Sequence, residues 1–385
     1  MPRTRLLWVL PIVAAVLFVV ASGAAARTVA PINSGFSTEL NVGTQGAVFT
    51  MTNAPTGNAV WAYLIGPGGS LIPAGHFATN GKGTGVSLAD SGALALTDDH
   101  QYLLVVNAGS NSITVFHVNS ASGHVPLLSF VDEVASHGTL PVSIAAHGPL
   151  VYVLNAGTSL VPGNIFGFYL ADHGLLFPLP GSSRPLSTSA SAAPAQIAFD
   201  PSAPVLVVTE KNTSVLDSYT VDFRGYASGP TVTPSDSSTP YGFAFGLAGT
   251  LIVSDAAASA LTSYSVTPTG TLTVATPATP DGQTAACWVA TWDGGQYAFT
   301  TNAHSSTIST YGVGPGGALT LLDGVSATTG AADTDMAVGG HGHFLFVYDA
   351  GAGEVQEFGI GSGASLTLEY DVFGLPATAE GMAAF

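Results

Sequence analysis

Apart from Arg3 and Arg5, the chain has only five cationic side chains, Arg27, Lys82, Arg184, Lys211 and Arg224, against 24 acidic ones. Where they fall is therefore informative. Lys211 directly follows Glu210 in "LVVTEKNTSVLDSY", while His137 and Arg184 lie in polar stretches that join apolar runs. A carboxylate or imidazole in such a setting can activate water as a general base, a role worth about 10²–10⁴-fold in rate. A lysine or arginine nearby can stabilise the oxyanion that forms when water attacks a carbonyl. Glu210 or His137 is the expected base, and Arg184 or Lys211 the expected oxyanion partner. The bland alternative is a solvated turn in which Glu210 and Lys211 form a weak surface pair.

Other chemistries find less support. There is no G-x-S-x-G elbow for a serine nucleophile and no H-E-x-x-H zinc helix. The one cysteine, Cys287, lies in the apolar run "AACWVATW", which suits a buried inert thiol and allows no internal disulfide. His341-Gly-His343 has ligand-like spacing, but in a turn expected on the far face from the other candidates. "AADTDM" brings Asp333 and Asp335 together, suiting either Ca²⁺ or a soluble acidic loop. Asn212-Thr213-Ser214 matches a glycosylation acceptor only formally. No metal and no cofactor are expected. A formal charge of -17 with no clustered cations argues against nucleic acid and anionic membrane surfaces as partners. A small-molecule ligand and a monomeric chain are the remaining expectations.

Residues 1–26 read as a signal peptide: Arg3 and Arg5, an apolar run from Leu6 to Val20, then Ala24-Ala25-Ala26. Cleavage there would take the charge from -17 to -19 and place the protein in a secreted or otherwise extracytoplasmic setting. Retention as an anchor is the alternative reading. Residues 27–44 read as a linker.

From residue 45 to 385 one unit recurs. An apolar run ends in a small turn, and a second strand follows with an aromatic at fixed offset, as in "LLVVNAGSNSITVF", "LIVSDAAASALTSY" and "LFVYDAGAGEVQEF". The turn positions are Asn53, Asn107, Asn155, Glu210, Asp255, Asn302 and Asp349, spaced 45 to 55 residues apart. In five units the aromatic comes nine residues later, at Phe116, Tyr219, Tyr264, Tyr311 and Phe358. A shorter apolar strand precedes each run and a Gly-led strand such as "GPGGALTLLDG" follows it. Four short strands per unit, without helical periodicity, predict an all-β, seven-bladed β-propeller of four-stranded blades. The first unit lacks an inner strand. The chain's final stretch, Gly381 to Phe385, is expected to supply it and close the ring.

At this level of detail the sequence resembles the bacterial branch of the lactonase family of seven-bladed propellers. The likeness is carried by "GALALTDDHQYLLVVNAGSNSITVF", "APAQIAFDPSAPVLVVTEKNTSVLDSYTV" and "TAACWVATWDGGQYAFTTNAHSSTISTYGV", among others. The resemblance implies a propeller fold and activities such as opening of 6-phosphogluconolactone or lactonisation of carboxymuconate. It also implies acidic, His and Arg side chains in the central cleft. On that basis Glu210, Arg184, Lys211 and His137 are the candidate catalytic residues for opening a small cyclic ester at the mouth of the channel. The sparse arginines depart from a phosphate-binding pattern. A non-catalytic binding or surface scaffold is the competing function.

Overall fold

The computed structural model describes residues 44–119, 127–188 and 192–385. The expected signal segment, and the linker up to residue 43, lie outside the described residues. The rest forms seven antiparallel sheets, one for each repeat. In blade 4 the order from the axis outward is Pro194–Phe199, Val205–Glu210, Val215–Val221 and Ala227–Pro234. The second strand is buried along its whole length. This explains why such strands read as unbroken apolar runs rather than alternating ones, since neighbouring blades cover both faces. Helical structure among the described residues consists of three-residue 3-10 turns, as at Pro67–Gly69 and Pro315–Gly317.

Blade 1 takes its inner strand from the C-terminal end of the chain. Glu380–Ala384 pairs antiparallel with Ala47–Met51, with Val48 opposite Ala384 and Thr50 opposite Met382. Gly46 permits this docking: at φ +135°, a Cβ there would come within 1.7 Å of the Phe385 carbonyl oxygen. Phe385 then stacks on Phe49 at 6.3 Å. Blade 3 departs from the four-strand pattern. Its outer position is shared by Leu176–Pro178 and Arg184–Pro185, both paired to Asn164–Leu170. Pro178, Pro180 and Pro185 lack the N–H groups that one continuous outer strand would need.

The repeated residues have repeated duties. The aromatics nine residues after the turn are fully or nearly fully buried, and the tyrosines among them latch the preceding connection. Tyr219 donates to Pro185 O at 2.9 Å and Tyr311 to Thr279 O at 2.8 Å, while Asp236 N donates to the Tyr264 hydroxyl at 2.9 Å. A second device links consecutive blades one residue before the aromatic in blades 4 and 5. Ser218 Oγ donates to Gly270 O at 2.5 Å, and Ser263 Oγ to Gly317 O at 2.6 Å. At the same place between blades 7 and 1, Glu357 Oε1 packs against Gly69.

Candidate active site

The turns after the second strands and the connections between blades share one face, and the side chains singled out from sequence sort differently there. Glu210 ends its strand with no exposure and accepts from Ser187 N at 2.9 Å, Ser187 Oγ at 2.6 Å and Thr213 Oγ1 at 2.5 Å. Asp217, also fully buried, shares the Ser187 N–H at 2.8 Å. Burial, and then the Glu210 charge, push the Asp217 carboxyl well above its ordinary range. Glu210 thus does for its blade what Asn107, Asn302 and Asp255 do for theirs, tying the turn to neighbouring hydroxyls.

Arg184 lies further out. Its Nε donates to Ala227 O at 2.6 Å, and its Nη1 to Gly181 O and Ser183 O at 2.9 and 2.7 Å. His137 sits in the connection between blades 2 and 3, its ring stacked on Phe166 at 4.3 Å. Lys82 is exposed. No hydrogen bond or ion pair joins Glu210, Arg184, Lys211 and His137 to one another among the described residues.

Lys211 turns the other way, to the axis. Its Nζ donates to Ala89 O and to Pro194 O, the latter at 3.4 Å, and stands 4.8 Å from the centroid of the Tyr241 ring. Such a placement over an aromatic face stabilises a cation. Ala89 belongs to the long connection between blades 1 and 2, which crosses the channel mouth. Leu88 N donates to Glu380 Oε1 at 3.0 Å and Gly92 N to Asp335 Oδ2 at 3.3 Å. Ser91 N donates to Ala195 O at 3.0 Å, and Trp288 Nε1 to Asp90 O at 2.8 Å. The segment therefore touches the inner strands of blades 1, 7, 4 and 6.

Two carboxyls, Asp335 and Glu380, lie beneath it with the segment's own Asp90, and the three are 3, 1 and 1 % exposed. Burial raises all three, Asp335 to about 7. The charges of Glu380 and Asp335 raise Asp90 further, and Lys211 partly offsets them. Oδ2 of Asp90 and Oε2 of Glu380 are buried without a hydrogen-bond partner. Burial lowers the Lys211 ammonium, against the pull of Asp90, Cys287 and Glu380. The Cys287 thiol is raised by burial to about 12, so it is no nucleophile at neutral pH. Carboxyls near neutrality beside an amine are suited to proton transfer and to holding developing negative charge.

Beside this mouth, between blades 5 and 6, opens a cleft of about 480 Å³. Tyr241 and Cys287 line it, with Ala256 to Ala258, Ala285, Ala303 and the His304 side of the next turn. Tyr241 thus carries Lys211 on its ring and also borders the cleft.

Asp90 had no sequence signal of its own, since the connection it occupies is long and mostly uncharged. Asp335 was legible as half of an acidic pair with Asp333, and Tyr241 and Glu380 as residues near blade entries. The metal candidates also separate. Asp333 bonds Thr329 while Asp335 bonds backbone amides, and His343 Nδ1 lies 2.9 Å from Gly340 O. Among the described residues no group of three or more His, Cys, Asp or Glu side chains is placed to hold a metal ion.

Residues 58–162 match a family described as lactonase, 7-bladed beta-propeller. The matched segment is similar to that family, and the fold is a seven-bladed β-propeller. Its ring aligns with the Pseudomonas aeruginosa periplasmic gluconolactonase at a TM-score of 0.69 and 15 % identity, covering 88 % of this chain and 99 % of that one. A Lactobacillus plantarum protein aligns at 0.70 and 16 % identity, covering 89 % and 99 %. A Bacteroides fragilis protein assigned provisionally as a 6-phosphogluconolactonase aligns at 0.69 and 14 %, covering 89 % and 98 %. At such identities the likeness carries the fold alone. No curated protein matches the sequence. The matched stretch includes Asp90 and His137 but stops short of Arg184, Glu210 and Lys211.

Proposed function

We propose that the protein is an exported, lactonase-like hydrolase that opens a small cyclic ester at the mouth of the central channel. One observation carries this reading: the cleft between blades 5 and 6 shares Tyr241 with Lys211, and the Lys211 ammonium feels the charges of Asp90 and Glu380. A ring carbonyl in the cleft would direct its developing oxyanion toward the Lys211 ammonium. A carboxylate of the Asp90–Glu380 group would take the proton from the attacking water. The proton then passes to the ring oxygen as the C–O bond breaks, leaving a hydroxy acid. Glu210, Arg184 and His137 support the surrounding loops from one shell further out.

The test is a hydrolysis screen of the purified protein on neutral and anionic lactones, with Lys211→Met and Glu210→Gln alongside. Lys211→Met is expected to lower kcat/KM by about 10²-fold or more, the usual scale for losing an oxyanion donor. Unchanged turnover in Lys211→Met would remove this mechanism, and a loss of turnover in a folded Glu210→Gln as large as in Lys211→Met would move Glu210 from a supporting turn into the reaction. The second reading is a non-catalytic extracytoplasmic binding propeller. It is favoured by the Lys211 amine being engaged by two backbone carbonyls beneath a segment that covers the mouth. Ligand binding without turnover of any lactone would establish it.

A further inference from the structure

The walls of the cleft say more about its occupant than the reaction does. Ala256, Ala257, Ala258, Ala285 and Ala303 line the cleft together with Tyr241, so its wall is largely of small apolar residues and one aromatic. The polar groups on its lining are neutral hydroxyls and amides such as Thr239 and Gln283, together with His304. No lysine or arginine lines it, and the nearest cation, Lys211, is already shared among Asp90, Glu380 and two carbonyl oxygens. A phosphate or carboxylate entering this space would meet the acidic mouth without a bidentate partner, and anion recognition ordinarily recruits one.

We infer that the cleft takes a small uncharged ring with a short apolar substituent, and not a phosphorylated or carboxylated sugar lactone. About 480 Å³ lies within the usual range of small-molecule sites and holds a five- or six-membered ring plus a few carbons. That the ring is an ester rests on the lactonase-like reading; that it is neutral and apolar rests on the cleft alone.

The two are separated by pairing a non-hydrolysable ring with hydrolysable ones. Binding of 2-piperidone is followed by calorimetry, and hydrolysis of δ-valerolactone, γ-nonalactone and 6-phosphogluconolactone by proton release. 2-Piperidone is expected to bind, and Ala303→Leu or Ala257→Leu, which fill the cleft, to raise its Kd at least about 10-fold. Ala257 is exposed, so its replacement leaves folding intact even where Ala303→Leu disturbs its turn. Among substrates, γ-nonalactone is expected to exceed 6-phosphogluconolactone in kcat/KM by about 100-fold or more. Binding abolished by the leucines, with no turnover of any lactone, supports the neutral cleft and sinks the lactonase-like reading. Preferred turnover of 6-phosphogluconolactone overturns the neutral cleft while the lactonase-like reading stands. Absence of 2-piperidone binding, or binding untouched by both leucines, also overturns it.

Discussion

At the scale of single residues, adjacent positions in the chain do unrelated work. Glu210 and Lys211 are neighbours in sequence, yet the carboxylate closes a buried turn while the amine reaches the axis. The divergence follows from the end of a strand, where consecutive side chains leave on opposite faces. Buried Glu210 accepts from the half-buried Ser187 and Thr213, so its removal takes the acceptor from both hydroxyls. Glu210→Ala is expected to destabilise the fold by about 2–4 kcal/mol in chemical denaturation, the range for breaking a buried network. A loss below about 0.5 kcal/mol would show that the network carries little. The turn position was readable from the sequence because it recurs in every blade. Which of its two charged residues faces the channel was not, because periodicity gives the strand and not the direction of the residue that follows it.

At the scale of the element, the closing strand has the clearest consequence. Glu380–Ala384 buries Met382 and Ala383, donates Glu380 to the mouth, and covers the edge of Ala47–Met51. Removing residues 381–385 would strip the buried Met382 and Ala383 and most of the edge cover, and leave Glu380 at the end of the chain. The truncated chain is expected to lose several kcal/mol, by apolar burial alone, and to melt more than about 5 °C lower. An unchanged melting temperature would mean that the ring closes by other contacts. The sequence indicated this strand through the missing inner strand of the first unit, with its start placed one residue late. Blade 3 was read as an ordinary four-stranded unit, although Pro178, Pro180 and Pro185 were in view. Prolines forbid a continuous outer strand, but only the fold shows that two fragments share the position.

At the scale of the whole molecule, the many buried carboxyls set how stability responds to pH. Glu357 is raised from 4.5 to about 8, chiefly by burial and then by the Glu369 charge. Asp333 is raised by burial to about 8, and Glu354 to about 7 by burial and the charges of Asp371 and Asp349. The unfolded chain releases these protons near pH 4 to 4.5, whereas the folded chain holds them until about 7 to 8. Folded protein therefore binds more protons across that window, and its stability falls as pH rises through it. Lys211 shifts in the opposite sense and acts above the window.

The melting temperature is expected to peak near pH 4–5 and to fall by more than about 5 °C toward pH 8. Glu357→Gln should flatten part of that fall. Both Glu357 oxygens are buried without a hydrogen-bond partner, and an amide there does not titrate. A profile that rises from pH 5 to 8 would contradict the burial of these groups.

The sequence by itself determined the number of blades, the strand that closes them and the residues at each turn. These depend on local pattern repeated at a fixed interval, and repetition survives even where single strands are weak signals. Only the tertiary structure decided which charges meet. Asp90 lies more than 240 residues from Asp335 and Glu380 in sequence, and they converge because the ring brings the starts of the inner strands carrying Asp335 and Glu380 to one axis, where the connection bearing Asp90 crosses. The long connection after blade 1 then folds over them, and the same closure turns Lys211 inward and leaves Arg184 and His137 outside.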